Sequence, residues 1–353
     1  MDSNWLSAAL DPPHAYGEPL GRGTLRSQPE DFVVEEDLGF PASGSGQHVL
    51  LKVRKRNANT QWVARELAKL CGCHPRDVGY AGLKDRRAIA VQWYTVPRSR
   101  VTLEAWREVN QSEFNVLEAE AHSRKLPRGA LAGNHFTIRV RDVDSNALAG
   151  PLATRVGLIA RRGVPNYFGP QRFGREGANL SRLASGLRAL HPSERGFVLS
   201  AARSLIFNAV LAERVRDATW DHLEKGDIAN LDGRGSVFAV DAIDTTLIAR
   251  CEGLDIHPTG PMWGRGAPTT QGRIAELETR VAGEFQQACS LVAEAGMDQE
   301  RRALRLAVRE LAWESEPGAI VLCFRLTRGS FATTVLREIF HVAAPAEDGG
   351  EEL

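Results

Sequence analysis

Residues 78–96 read VGYAGLKDRRAIAVQWYTV and place a charged turn between two apolar segments. The segments 78–81 and 88–96 are rich in β-branched and aromatic residues, which predicts two strands. The turn between them, Gly82 to Arg87, begins with glycine and carries four charged residues. A turn of this kind lifts the carboxylate of Asp85 off the end of a sheet and surrounds it with cations. The stretch therefore predicts β structure around a candidate functional aspartate.

Two interpretations of Asp85 are open from its local sequence. Lys84, Arg86 and Arg87 favour the ionised carboxylate even where it is partly withdrawn from water. An ionised and poorly hydrated carboxylate can act as a nucleophile or as a base. An aspartate that follows a glycine also commonly bonds to the backbone of its own turn, and its role is then only to stabilise the loop.

The part of the chain before about residue 160 is predicted to be rich in β structure. Residues 32–36, 48–53 and 134–141 have the composition of strands, and the last of them alternates apolar with polar side chains. A helix is predicted between them, from residue 59 or 60 to Gly72. Its predicted core stripe is Val63, Leu67 and Leu70.

The remainder of the chain is predicted to be mainly helical before it returns to β structure. Residues 257–272 (HPTGPMWGRGAPTTQG) are predicted to form a flexible loop because of their glycines and prolines. A strand is predicted at 319–327. The predicted helices run from Ser200 through about Ala218, near 273–295, over 298–312, and from Ser330 through Phe340.

Composition and charge set broad limits on function. The charges of the 44 basic and 44 acidic residues cancel, so the net charge does not indicate a nucleic-acid partner. Local runs are nevertheless basic, namely His48 to Arg56, Lys84 to Arg87 and Arg124 to Arg128. No apolar run of membrane-spanning length and no secretory signal is recognised, which predicts an intracellular protein.

The cysteines predict neither a disulfide framework nor a metal centre. Their number, five, is odd, and they are scattered over the chain. Cys71-Gly72-Cys73-His74 has the composition of half a zinc site, but no second Cys/His pair lies at ligand spacing. We therefore expect no metal.

Several segments resemble one enzyme family in the same order along the chain. Tyr80-Ala81-Gly82-Leu83-Lys84-Asp85 resembles the signature around the catalytic aspartate of TruD-type pseudouridine synthases. Four more segments resemble that family: Pro29 to Val34 (PEDFVV), Gly133 to Phe136 (GNHF), Asn166 to Gly174 (NYFGPQRFG) and Gly329 to Thr333 (GSFAT). The run from Ser200 to Asn208 also fits. The resemblance extends over about residues 26–340, nearly the whole chain.

The resemblance implies an α+β fold in which a split pseudouridine-synthase catalytic domain is interrupted by an insertion. The catalytic domain, with a mixed or antiparallel sheet, is expected at 1–159 and 306–345. A mainly helical α+β insertion domain is expected at 160–305, and an acidic disordered tail at 346–353. The order of β-rich, helical and again β-rich sequence agrees with an insertion.

The resemblance also assigns expected roles to individual residues. Asp85 takes the place of the catalytic aspartate. Arg26 lies where the family can carry a basic residue near that aspartate, and Lys84 is a second cation that could hold it. The positions expected to line the uridine pocket are Phe32, Asn134, Phe136 and Phe331.

Each of these residues also has an ordinary structural interpretation. The three phenylalanines come from distant segments and could grip a uracil ring, but an isolated phenylalanine more often packs in a core. Asn134 offers an amide donor and acceptor to the mixed edge of uracil, or is a turn residue before a strand. Arg172 and Arg203 could contact phosphates or brace the insertion.

The expected activity is the isomerisation of a uridine in tRNA to pseudouridine, with position 13 in the D arm as the site that the resemblance implies. We expect no cofactor, no membrane association, no obligate protein partner, a monomer and a cytoplasmic location. One alternative is a non-catalytic RNA-binding or RNA-folding protein. Another is a metal-dependent hydrolase that uses Asp31, Glu36 and Asp85, although these carboxylates lack compact ligand spacing.

Overall fold

The two strand patterns at 134–141 and 319–327 pair with each other in a large mixed sheet. The computed structural model describes residue 5 and residues 9–174, 177–183 and 190–343. Contacts divide the chain into two compact units. The first unit contains Leu20–Val156, Arg309–Gly329 and the segment from Phe340, and the second contains the N-terminal segment to Pro19, Gly157–Val308 and Ser330–Ile339.

The sheet of the first unit has ten strands. Their bounds are β1 Gly21–Thr24, β2 Phe32–Asp37, β3 His48–Arg56, β4 Gly79–Tyr80, β5 Ile89–Pro97, β6 Phe114–His122, β7 Gly133–Arg141, β14 Arg309–Glu316, β15 Ala319–Thr327 and β16 Phe340–Ala343. Seven of these strands lie side by side in the order β14-β15-β7-β2-β5-β3-β6. Strand β4 pairs with β5, and β1 pairs with β16 and, through a single residue, with β7. The β2–β5 and β1–β16 pairs are parallel and the others are antiparallel. The predicted α+β fold with a mixed sheet is confirmed.

One face of this sheet is covered by helix α1, Thr60–Cys71. Asn59 caps the helix by accepting a hydrogen bond from the Gln61 amide, and Gly72 ends it at φ 72°. Val63 and Leu67 are fully buried, as predicted, but Leu70 is 40% exposed. The inclusion of Leu70 in the core stripe was wrong, because Ala64, Ala68 and Cys71 complete the buried face instead.

The first unit also contains helix α2, Leu103–Arg107, and the start of helix α3, Ser145–Arg162, which ends in the second unit. The second unit contains the other strands and helices of the described residues. Its strands are β8 Val164–Pro165, β9 Ile228–Leu231, β10 Val237–Ala239, β11 Ile256–Met262, β12 Glu300–Ala303 and β13 Arg305–Leu306. Its helices are α4 Ala178–Leu183, α5 Pro192–Arg216, α6 Thr245–Glu252, α7 Gly272–Gly283, α8 Gln286–Glu294 and α9 Ala332–Leu336.

Helix α5 forms the centre of the second unit's apolar core. Its Leu205, Ile206, Phe207 and Leu211 are fully buried in a cluster that also includes side chains of α7 and α8. The segment Glu194–Arg216 is long and apolar enough to cross a membrane by composition, but 72% of its most apolar window is buried inside the protein. Burial to this extent is typical of the core helix of a folded domain.

Two sequence predictions for the C-terminal half gave the wrong structure, and two gave a helix with the wrong bounds. Helix α5 begins at Pro192, so Ser200 lies inside it, and the predicted loop 257–272 contains strand β11. Residues 298–312 form strands β12 and β13 and the start of β14. The last helix ends at Leu336 and is followed by β16.

The assignment of catalytic and insertion roles to 1–159, 160–305 and 306–345 stays a prediction. The contact-based units separate the chain near similar points, but they also place the N-terminal segment and Ser330–Ile339 with the long middle segment. The predicted disordered tail, 346–353, lies outside the described residues.

Candidate active site

Asp85 lies on the loop of residues 81–88 that joins β4 to β5. The two strands pair antiparallel through Tyr80 and Tyr94, so both ends of the loop are fixed to the sheet. The carboxylate is half exposed, with 49% of the side chain accessible to solvent. Its Oδ2 accepts a hydrogen bond from Arg26 Nη2 at 2.5 Å. This charge-assisted hydrogen bond gives the carboxylate a defined direction.

Arg26 reaches Asp85 from the segment between β1 and β2. Its backbone is left-handed at φ 58°, a conformation that non-glycine residues adopt only where the surrounding structure imposes it. The guanidinium carbon lies 4.2 Å from the ring centroid of Phe32. Arg26 therefore connects the predicted aspartate with one of the predicted pocket aromatics.

Lys84 holds the Asp85 loop rather than Asp85 itself. Its ammonium lies 2.8 Å from Oε1 of the fully buried Glu36, and the Lys84 side chain itself is only 9% exposed. The other oxygen of Glu36 accepts a hydrogen bond from the Trp93 amide at 3.0 Å. The ion pair therefore ties the loop to strands β2 and β5.

Buried polar side chains on α1 and β5 also bond to the loop backbone. The Lys84 amide donates to Thr60 Oγ1 at 3.0 Å, and Gln92 Nε2 donates to the carbonyl of Gly82 at 2.5 Å. Thr60 and Gln92 bond to each other at 3.1 Å. These side chains satisfy the loop's backbone groups and so fix the residues immediately before Asp85.

Lys55 is a site residue that the sequence analysis missed. Its side chain is fully buried, and Nζ donates to the carbonyls of Ala58 at 2.7 Å and of Asp85 at 2.8 Å. Burial lowers the pKa of Lys55 from 10.5 to about 8, while the nearby charge of Asp85 opposes that shift. A signal was present in the sequence, because Lys55 continues the inward-facing series Val49, Leu51 and Val53.

The predicted pocket residues of the first unit share one face of the sheet. Phe32 and Phe136 are buried, with ring centroids 6.1 Å apart and planes at 73°. Asn134 lies two residues before Phe136 on β7 and is also buried. Its Oδ1 has no hydrogen-bond partner. Phe324, which the sequence analysis did not single out, stacks on Phe136 at 5.5 Å.

Comparison with known proteins identifies the family of this chain. The family model for tRNA pseudouridine synthase D (TruD) matches residues 14–181 and 178–339. The chain belongs to the TruD family. A tRNA pseudouridine synthase D of Nitrosococcus oceani is 43% identical over 92% of this chain and 93% of its own, and one of Methylococcus capsulatus is 42% identical over 93% and 94%.

A crystal structure described as a tRNA pseudouridine synthase D (TruD) from Methanosarcina mazei matches the fold with a TM-score of 0.74. The match covers 96% of this chain and 98% of the other at 20% identity. At that identity the likeness is one of fold alone. It extends over both units of this TruD-family chain.

Phe331, the remaining pocket residue implied by the TruD resemblance, belongs to the second unit. It precedes α9 and is 42% exposed. An exposed aromatic ring at the start of a helix is available to stack on a ligand, whereas Phe32 and Phe136 are largely covered. Its place beside a uridine stays a prediction.

The carboxylates of the alternative hydrolase site each have a cationic partner in this TruD-family chain. Arg141 bonds to Asp31 at 2.7–2.9 Å, Lys84 pairs with Glu36, and Arg26 pairs with Asp85. Among the described residues no group of three His, Cys, Asp or Glu side chains is arranged to hold a metal ion.

Contacts within the second unit bear on whether Arg172 and Arg203 contact phosphates or brace the fold. Arg203 donates to the carbonyls of Met262 at 2.7 Å and Asp298 at 3.0 Å, and it is buried. It therefore braces the unit. Arg172 is exposed, and its guanidinium donates to Ser200 Oγ at 3.0 Å.

Proposed function

We propose that this chain isomerises a uridine in tRNA to pseudouridine, with Asp85 as the carboxylate that acts on the nucleoside. The activity is that of the TruD family, to which the chain belongs. The observation that carries the role of Asp85 is its half-exposed carboxylate, which bonds to Arg26 at 2.5 Å on a loop fixed at both ends. Asp31 and Glu36, by contrast, are buried within ion pairs of the sheet.

The reaction breaks the bond between N1 of uracil and C1′ of the ribose, turns the base, and joins C5 to C1′. Substrate and product have the same atoms and oxidation state, so the chemistry requires neither a redox partner nor an energy source. Asp85 either attacks the nucleoside covalently or removes a sugar proton, and both routes need an ionised carboxylate in a fixed direction. Arg26 supplies that direction.

The target base must leave its stack before Asp85 can reach the sugar. Extrusion of a base costs a few kcal/mol, and stacking on an aromatic side chain returns about 1–3 kcal/mol. Phe331 is the exposed aromatic that we propose for this contact. The unpaired Oδ1 of Asn134 is a suitable acceptor for the N3–H group of uracil.

The target position and the cellular setting are part of the proposal. We infer that the substrate uridine is at position 13 in the D arm, and that the enzyme acts as a monomer in the cytoplasm without an obligate protein partner. Mapping of pseudouridine in tRNA from cells with and without this protein tests the position.

The decisive experiment compares the wild-type protein with Asp85→Asn on unmodified tRNA. Asparagine keeps the shape of the side chain but removes its charge, so we expect pseudouridine formation to fall below detection while tRNA binding persists. Asp37→Asn is the matched control, because Asp37 is also held by an arginine, Arg325 at 2.7 Å, but lies outside the loop. A rate near wild type in Asp85→Asn would overturn the assignment of Asp85 as the carboxylate that acts on the nucleoside.

A further inference from the structure

Residues 123–132 (SRKLPRGALA) form an exposed basic segment in the first unit, here named the basic loop. The basic loop joins β6 to β7 and contains three cations and no carboxylate. The side chains of Arg124, Lys125 and Arg128 are all exposed. The proposed chemistry of Asp85 gives these residues no role.

The basic loop is fixed to the chain immediately before the Asp85 loop. The amide of Gly129 donates to the carbonyl of Ala81 at 2.7 Å, and the amide of Leu126 donates to Thr95 Oγ1 at 2.8 Å. Leu126 is 2% exposed and packs in a small cluster with Ala81. The cations of the loop are therefore presented from a fixed backbone.

The packing between the basic loop and β4 is too close for a side chain at residue 79. A Cβ on Gly79 would lie 2.7 Å from the carbonyl oxygen of Leu126, a distance that such atoms do not tolerate. Glycine at this position lets the basic loop approach the strand that leads to Asp85.

Arg128 is held in a defined orientation above that strand. Its guanidinium carbon lies 3.5 Å from the ring centroid of Tyr80, the residue that precedes the Asp85 loop. Stacking covers one face of a guanidinium but leaves its N–H edges free for hydrogen bonds in the plane. Planar N–H edges of this kind bind the oxygens of a phosphate in pairs.

Further cations without carboxylate partners bond to the basic loop or belong to the Asp85 loop. Lys125 Nζ donates to the carbonyl of Arg76, and Arg328 Nη1 donates to the carbonyl of Gly129 at 3.3 Å. Arg86 and Arg87 are exposed on the Asp85 loop itself. Across the described part of the chain, no salt bridge to a carboxylate is formed by Arg76, Arg86, Arg87, Arg124, Lys125, Arg128 or Arg328.

We propose that the basic loop binds the phosphate backbone of the RNA strand that carries the target uridine. This inference rests on the proposed function and names the surface that presents the strand to Asp85. Oriented guanidiniums and unpaired positive charge next to the reactive carboxylate suit a polyanion with regularly spaced phosphates. Contacts of this kind position the strand and carry no base sequence.

The test compares tRNA binding by two double variants of the inactive Asp85→Asn protein, so that binding is measured without turnover. The first carries Arg124→Gln and Arg128→Gln. The second, the matched control, carries Arg65→Gln and Lys69→Gln, which remove two exposed charges from helix α1. We expect the first to bind unmodified tRNA about 10-fold more weakly, with a slope of log affinity against log salt reduced by about 1.5. The control keeps the parent affinity and slope.

Equal affinity and slope in the two double variants would overturn the role of the basic loop. That outcome would leave the proposed activity untouched, because the activity is measured separately on the wild-type protein. If loss of the Arg128–Tyr80 stack prevents folding, Arg124→Gln alone provides the test. Arg124 forms no hydrogen bond or salt bridge within the described residues, and its loss should lower the slope by about 0.8.

Discussion

At the scale of single residues, Asn134 has an arrangement that folding alone does not favour. Its side chain is 8% exposed and its Oδ1 has no partner. A buried acceptor without a hydrogen bond costs about 1–3 kcal/mol, so an apolar side chain of similar shape would suit the folded protein better. Binding of a uracil N–H group would give this oxygen its partner.

The unpaired oxygen of Asn134 leads to a prediction for the variant Asn134→Leu. The free energy of unfolding should stay the same or rise, by up to about 1 kcal/mol, because the unpaired oxygen is removed. The kcat/KM for unmodified tRNA should fall about 10- to 100-fold, because the bound base loses a hydrogen bond. Urea unfolding and steady-state kinetics measure the two effects. A variant that lost stability but kept its kcat/KM would assign Asn134 to the fold alone.

Lys55 is expected to make the free energy of unfolding of the protein depend on pH. Burial lowers its pKa to about 8 in the folded protein, whereas the ordinary pKa of lysine, expected in the unfolded chain, is 10.5. Below pH 8 both states are protonated and the folded state bears the full cost of a buried charge. Between the folded and the unfolded pKa, only the unfolded state keeps the proton on Lys55. The free energy of unfolding therefore increases as the pH rises through this range.

Comparison with Lys55→Met isolates this effect, because methionine does not titrate. From pH 7 to pH 10 the wild-type protein should gain stability relative to the variant, on the order of 2–3 kcal/mol. Denaturant unfolding at several pH values measures the difference between the two proteins. A difference that did not change with pH would show that the Lys55 ammonium titrates normally in the folded state.

Resemblance identified Asp85 and its predicted partner Arg26 from the sequence, but it gave no account of how they are held. The bond between them depends on the left-handed backbone of Arg26, which no local pattern indicates. Lys84 looked like a partner for Asp85 because it is adjacent in sequence. Its preference for Glu36 depends on the pairing of β2 with β5, which brings together residues 48 positions apart.

At the scale of elements, strands with alternating or apolar runs were predicted well and the others were not. Strand β15 matches its predicted bounds, and β7 begins one residue earlier than predicted. Residues 298–312 are rich in alanine, arginine, leucine and glutamate, which favour a helix locally. They form strands because β11, β8 and β15 offer them partners, so tertiary pairing overrides propensity.

Strand β11 was missed for the opposite reason, because its prolines suggested a loop. Its first half, to Pro258, pairs with β9, and its second half, from Thr259, pairs with β12. Each half of β11 thus pairs with a strand on one edge only. A proline, which lacks an N–H group, is tolerated where the other edge makes no strand pairing. The arrangement depends on two partners that are distant in sequence, and glycine and proline content alone does not indicate it.

At the scale of the whole molecule, a net charge of zero coexists with a nucleic-acid substrate. Several exposed arginines outside the Asp85 region form ion pairs, such as Arg273 with Asp217 and Glu224. Among the cations of the basic loop and of the Asp85 loop, Lys84 alone has a carboxylate partner within the described residues. Unpaired positive charge therefore lies on these two loops although the net charge of the chain is zero, and it can attract a phosphate backbone over short distances.

This distribution predicts that tRNA binding by the wild-type protein depends steeply on salt despite the zero net charge. Each phosphate contact releases bound counterions, so the affinity should fall at least about 100-fold between roughly 50 and 200 mM salt. Titration of unmodified tRNA at several salt concentrations measures the slope of log affinity against log salt. An RNA of the same length without secondary structure serves as a control for general attraction to RNA. If the affinity were flat over this range, phosphate contacts would not provide the main binding energy, and recognition would rest on the extruded base and its apolar neighbours.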